Sequence, residues 1–149
     1  MIKIVCVGKI KEKFFRDAIL EYIKRISRYT KISIVEVMDE SNIDIASKLE
    51  GERILKKISN DEYVIALDIC GESLSSLEFS KKIDSIFNTK SKITFVIGGS
   101  YGLSSSVLKR SNYSLSFSKM TFPHQLFRII LLEQIYRAYK INNNESYHK

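Results

Sequence analysis

Short apolar runs alternate along the chain with longer stretches in which apolar residues recur every three or four positions. Ile2-Lys3-Ile4-Val5-Cys6-Val7-Gly8 is β-branched, short and stopped by glycine, which is the pattern of a buried strand. Phe14, Phe15, Ala18, Ile19, Tyr22, Ile23 and Ile26 then fall at helical spacing, while Lys11, Lys13, Arg16, Lys24, Arg25 and Arg28 fill the other positions. Ile32 to Val37 alternates as a second strand, and Ile43 through Ile58 predicts an amphipathic helix weakened at Gly51. A third strand from Tyr63 to Ile69 is expected to end at Gly71. Ser75 or Ser76 can then cap a helix reaching Phe87, with Glu78 in its first turn.

Ile93 to Ile97 is continuously apolar, as parallel strands buried on both faces are. A tight turn from Gly98 to Leu103 leads to a short helix capped by Ser104 or Ser105 and ending at Arg110; Tyr113 to Phe117 predicts a fifth strand. Pro123, at the first helical position, opens a final helix to Ile141. This alternation specifies an α/β sandwich, and with no linker, repeat or low-complexity run residues 1–149 read as one domain.

The final helix carries apolar residues from Leu126 to Tyr139 around most of its circumference, so it needs burial on two sides. Too little chain remains to cover the second side. A two-fold homodimer is the economical solution, although a wide packing face inside one subunit fits the same pattern.

Charge narrows the partner. Twenty-four Lys and Arg against seventeen Asp and Glu leave a net charge of +7, which favours nucleic acid or another polyanion as partner over a merely soluble basic surface. Cys6 and Cys70 stand in apolar runs without CxxC spacing and read as buried, reduced thiols of a cytoplasmic protein. With only two His residues, no metal site is expected. The apolar runs are too short for a signal-peptide core or a membrane span, so no membrane association is expected.

Candidate chemistry concentrates in Leu115-Ser116-Phe117-Ser118-Lys119-Met120-Thr121-Phe122-Pro123-His124-Gln125, where a strand runs into a helix N-terminus. Such a junction offers unpaired backbone N–H groups and a favourable dipole to a small ligand. The turn Gly98-Gly99-Ser100-Tyr101-Gly102 is neither a Walker loop nor a full GxGxxG, and suits a nucleotide-like ligand or a plain strand-to-helix reversal equally. No Gly-x-Ser-x-Gly elbow supports a Ser-His-Asp hydrolase. The polar tail from Asn142 ought to fray, yet it ends in Tyr147-His148-Lys149: a stacking ring, a titratable base and a cation, types that grip a splayed-out RNA base.

Taken together, Val96-Ile97-Gly98-Gly99-Ser100 with Gly102-Leu103, Arg110 to Tyr113, Ser116 to Gln125, Glu133 to Ala138 and terminal Tyr147-His148-Lys149 resemble a bacterial ribosomal RNA methyltransferase family. These are the small SPOUT enzymes that use S-adenosylmethionine to methylate N3 of a pseudouridine in large-subunit 23S rRNA. The resemblance implies a SPOUT-type α/β knot, with a mostly parallel sheet whose C-terminal part is threaded into a trefoil, and an obligate homodimer. It places the cofactor at Leu67, Gly98, Phe117, Ser118, Lys119, Met120, Thr121 and Phe122; deprotonation of N3 further calls for a nearby base or cations, for which Arg137, Tyr147, His148 and Lys149 are the candidates. His148 would act as base or base-orienter, Tyr147 as a stacking or hydrogen-bonding group, and Arg137 as an electrostatic clamp.

The chain departs from the family pattern twice. Family members carry an extra stretch where this chain has only Met38 to Asn42, and Tyr101 occupies a turn position more often polar or acidic. An RNA-binding or ribosome-assembly module with a vestigial pocket is the alternative, separated from the enzyme by whether cofactor binds.

Overall fold

Along the first strand, β1 (Ile2–Val7), Ile2, Ile4 and Cys6 point into one core and Val5 and Val7 into another. The computed structural model describes residues 1–149. It continues with α1 (Lys13–Ile26), β2 (Ile32–Val37), α2 (Ile43–Leu55), β3 (Tyr63–Ser73), α3 (Ser76–Phe87), β4 (Ile93–Ile97), α4 (Ser105–Arg110), β5 (Tyr113–Ser116) and α5 (His124–Asn142). All strand pairs are parallel, in the order β2-β1-β4-β3-β5. The strand period of two repeats the division elsewhere: Ile93, Phe95 and Ile97 face one way, Val96 the other.

Larger side chains fill the side covered by α1, α3 and α5, and a valine-rich layer fills the side covered by α2 and α4. The fold is therefore a single-domain α/β sandwich with helices on both faces of a parallel sheet. α5 lies across α1 and α3. Its placement and the strand order accord with the threaded topology that the resemblance implies.

Four expectations change. β3 passes through Gly71 and ends at Ser73, because a register shift between Leu67 and Glu72 lets its second half rejoin β5. A Cβ on Gly71 would lie 2.7 Å from the backbone of Ser114 and Leu115, so this glycine permits strand approach rather than ending the strand. Cys70, on this extension, is exposed, whereas Cys6 is buried as expected. Helix α2 stops at Leu55, three residues short of Ile58, and Pro123 is the N-cap of α5 rather than its first residue.

Two buried charges lock the sheet. Glu62, just before β3, accepts hydrogen bonds from Lys3 at 2.7 Å and Thr94 at 2.6 Å, with Lys92 at 3.2 Å. At the opposite end Arg128 of α5 is fully buried; it donates to the carbonyls of Val7 and Gly8 at 2.8 and 2.6 Å and pairs with Glu36 at 2.8 Å.

Candidate active site

The parallel register brings Leu67, Ile97 and Leu115 level with one another on neighbouring strands. Just beyond them the chain leaves β4 at Gly98 and β5 at Phe117. The open ends of these strands and the first turn of α5 enclose a cleft of about 300 Å³. This is the carboxyl edge of a parallel sheet, where α/β folds ordinarily bind ligands.

Glycine shapes one wall. A Cβ on Gly98 would sit 2.9 Å from the backbone of Gly102, a separation only a glycine tolerates, and Gly102 closes the turn by donating to the carbonyl of Gly99 at 3.1 Å. The opposite wall is the loop from Phe117 to Phe122, where Ser118 Oγ accepts from the Met120 N–H at 2.9 Å and Phe117 packs edge-on against Phe127 at 5.0 Å. Pro123 leaves the first turn of α5 without a side-chain cap, so its first backbone N–H groups have no capping partner.

Leu67, Gly98, Phe117, Ser118, Met120, Thr121 and Phe122 all line this cleft. Lys119 does not; it is exposed and stands outside the lining. The lining also includes Asp68 and His124, its only acidic and basic side chains. Burial first, and then the charge of Arg128, holds His124 below the usual imidazole range, with Asp39 opposing. At neutral pH the cleft of this cationic protein therefore carries one negative charge. Sequence reading passed over Asp68 because it looked like one polar residue in an apolar strand; its position one residue beyond Leu67 was the available signal.

Arg137, Tyr147 and His148 come together elsewhere, and none of them lines the cleft. Phe127 touches the cleft, and Arg137 lies ten residues further along α5, roughly 15 Å by the helical rise. Glu133 is the hub of this second group. Its carboxylate pairs with Arg137 at 2.6 Å and accepts the Tyr147 hydroxyl at 3.1 Å. The Arg137 guanidinium lies 4.7 Å from the Tyr147 ring centre and 3.2 Å from His148 Nδ1. A guanidinium only donates, so Nδ1 accepts and Nε2 carries the proton of the neutral ring.

Burial and the bond to Glu133 raise the Tyr147 hydroxyl above its ordinary range, and the same carboxylate raises Arg137. Both remain donors near neutrality. The tail is thus docked rather than frayed, helped by Tyr147 meeting Tyr136 edge-on at 5.0 Å and by a Glu145 carboxylate shared between Tyr29 and Lys140. Sequence reading did not single out Glu133 as a site residue; its i,i+4 spacing from Arg137 was the visible clue.

A doubly covered parallel sheet with its cleft formed by a glycine turn and a polar loop defines a class, and comparison with known proteins specifies it. Over residues 1–148 the chain matches the family described as Predicted SPOUT methyltransferase, and it belongs to that family. It is 56% identical to the ribosomal RNA large subunit methyltransferase H of Clostridium botulinum (strain Alaska E43 / Type E3). Identity to the protein of the same name from Clostridium tetani (strain Massachusetts / E88) is 55%; each alignment covers 99% of both chains. Both alignments run to 157 positions against the 149 residues here, so the relatives hold residues that this chain lacks. The fold is similar to the solved structure of a probable methylase family protein from Haemophilus influenzae Rd KW20. That superposition has a TM-score of 0.59 at 18% identity, over 99% of this chain and 70% of the other.

Proposed function

We propose that this protein is an S-adenosylmethionine-dependent methyltransferase acting on N3 of a pseudouridine in the 23S rRNA of the large ribosomal subunit, as a cytoplasmic homodimer. The carrying observation is the charge of the cleft. Residues expected to hold the cofactor surround a space whose ionisable groups are one carboxylate, Asp68, and an imidazole pushed toward neutrality, His124. That balance suits a cationic sulfonium and disfavours the phosphates of an ordinary nucleotide. The names of the relatives, at more than half identity over full length, support ribosomal RNA as the substrate.

The residues fit the donor. Gly98 permits close backbone approach, the backbone of Phe117 to Phe122 offers groups for an adenine edge, and Leu67, Met120 and Phe122 supply apolar contact. When bound, S-adenosylmethionine supplies an activated methyl group on a positively charged sulfur. Methylation at N3 would require that nitrogen's proton to pass to a base of the protein.

The tail provides the groups for that proton and for the charge left behind. His148 accepts or orients the proton, Arg137 stabilises the developing imidate, and Tyr147 stacks on or hydrogen-bonds to the base. Because none of the three lines the cleft of its own chain, the partner in a two-fold dimer is the natural source of the tail at each cleft. Leu126 and Ile130 of α5, half-buried and outside the core of their own subunit, offer the surface for that pairing.

Lys9, Lys11, Lys24 and Arg28 are exposed outside every ion pair and provide the salt-sensitive hold on RNA. Arg110 is not part of it, since its guanidinium caps the carbonyls of Ser59 and Glu62. Isothermal titration tests the cofactor assignment: wild-type protein binds S-adenosylmethionine and Gly98→Val does not. Absence of binding by wild-type protein would overturn it and favour an RNA-binding module.

A further inference from the structure

The cleft assigned to the methyl donor opens to solvent through a rim that carries three exposed apolar side chains. Ile69, on the extension of β3, is 55% exposed; Tyr101, at the tip of the glycine turn, 46%; and Met120, on the loop after β5, 77%, the largest exposure of any bulky apolar residue in the chain. Ile69 and Met120 line the cleft themselves, and Tyr101 stands between two lining residues, Ser100 and Gly102. Single exposed apolar residues need no explanation, but three from different elements around one ligand opening mark a contact surface.

Tyr101 is the most specific of the three. The turn beneath it is fixed, because Gly98 lies too close to the Gly102 backbone for any side chain and the Gly102 N–H closes on the Gly99 carbonyl. Its ring nevertheless meets no other aromatic ring and its hydroxyl bonds to no protein group, whereas the hydroxyls of Tyr29, Tyr113 and Tyr147 each donate to a carboxylate. A fixed turn thus offers a bare ring to whatever covers the opening.

Two observations choose the occupant. The donor is held inside the cleft, so the acceptor of its methyl group has to come in over this rim. Lys119, next to Met120, is exposed and in no ion pair, a cation just outside a cleft whose own charge is negative. An aromatic ring, apolar neighbours and one outlying cation match a single nucleotide, with its base on the ring and its phosphate at the lysine.

We propose that Tyr101 is a substrate-positioning residue: its ring stacks on the nucleobase that accepts the methyl group, Ile69 and Met120 flank that base, and Lys119 holds an adjoining phosphate. This rests on the assignment of the cleft to the methyl donor. The base enters by the open side of the cleft, and stacking on one face leaves its edge and other face free for the partner's tail. Every base has a π-face, so the ring reads no sequence; it contributes by orienting the acceptor toward the donor.

Because Tyr101 is exposed and unbonded, its replacement leaves the fold intact, which a melting curve checks. Tyr101→Ala is expected to lower kcat/KM for ribosomes by about 10- to 100-fold, the cost of one lost base–aromatic stack, with the S-adenosylmethionine dissociation constant unchanged. Tyr101→Phe, which keeps the ring and drops the hydroxyl, retains wild-type kinetics. Lys119→Ala binds the donor normally and lowers the salt dependence of ribosome binding by about one unit of slope.

Normal kcat/KM in Tyr101→Ala would overturn the proposal. So would a Tyr101→Phe protein as impaired as the alanine variant, or a loss of donor affinity that accounts for the whole defect. If Tyr101→Ala dissociates the dimer and recovers wild-type kcat/KM at concentrations that restore it, the rim is a subunit contact and not a base platform. An unchanged salt slope in Lys119→Ala would overturn the phosphate contact. Failure of wild-type protein to bind S-adenosylmethionine would instead strike the donor assignment, so the two readings fail separately.

Discussion

The hydroxyl of Tyr147 donates to Glu133 Oε1 across 3.1 Å, tying the third-last residue to the middle of α5. The same carboxylate holds Arg137, so one acidic side chain sets the positions of two groups assigned to the reaction.

Glu133→Ala should therefore behave like a tail deletion without shortening the chain. Ribosome methylation is expected to fall by about 10²-fold, in the range of a lost acid–base contribution, while S-adenosylmethionine affinity is retained. Hydrogen exchange at Ser146 to Lys149 should rise in the same variant. A protected tail with normal turnover would remove Glu133 from the account.

Mixed dimers test whether the partner supplies the tail. One subunit is truncated after Ser146; the other carries Gly98→Val, whose side chain collides with the Gly102 backbone. Each homodimer should be inactive and the verified heterodimer partly active, because it contains one intact cleft facing one intact tail. No activity in the heterodimer would place cleft and tail within a single chain.

His124 gives the donor site a pH dependence. Protonation places a cation in the cleft, which opposes the sulfonium of S-adenosylmethionine but not the neutral thioether of S-adenosylhomocysteine. Arg128 and Asp39 are the charges that bear on this ring. The ratio of the two dissociation constants should stay flat from pH 8 down to the ordinary imidazole pKa of about 6.5, and shift toward the thioether below the depressed His124 value. His124→Gln should abolish the shift, as measured by titration calorimetry.

Glu62 governs acid stability. Burial alone would raise its carboxyl, but hydrogen bonds from Lys3, Thr94 and Lys92 outweigh this and hold it at about 2. Its folded value lies below the unfolded one, so its contribution is full above the unfolded carboxylate range and is lost as pH falls toward 2. Urea titrations at pH 7 and pH 3 should show a loss for wild-type protein and a smaller one for Glu62→Gln, which is less stable at pH 7.

The sequence made the order of all ten elements legible because strand and helix periods alternate cleanly. Seven of the eight positions expected to hold the cofactor line one cleft for a related reason: they lie at, or just beyond, strand ends that the parallel register aligns. What stayed hidden depended on tertiary neighbours. Gly71 resembled a strand stop until Ser114 and Leu115 were seen against it. Arg128 drew no reading from the sequence, because its partners, the carbonyls of Val7 and Gly8, lie about 120 residues away; the structure buries it completely. The tail resembled a frayed end because its anchor, Glu133, is fourteen residues away.

The most direct measurement supplies methyl-labelled S-adenosylmethionine and purified protein to ribosomes from cells lacking the activity, followed by digestion of the RNA and identification of the labelled nucleoside. Label is expected in N3-methylpseudouridine from 23S rRNA, and none when the tail is removed after Ser146. Label in any other nucleoside, or no transfer despite bound cofactor, would contradict it.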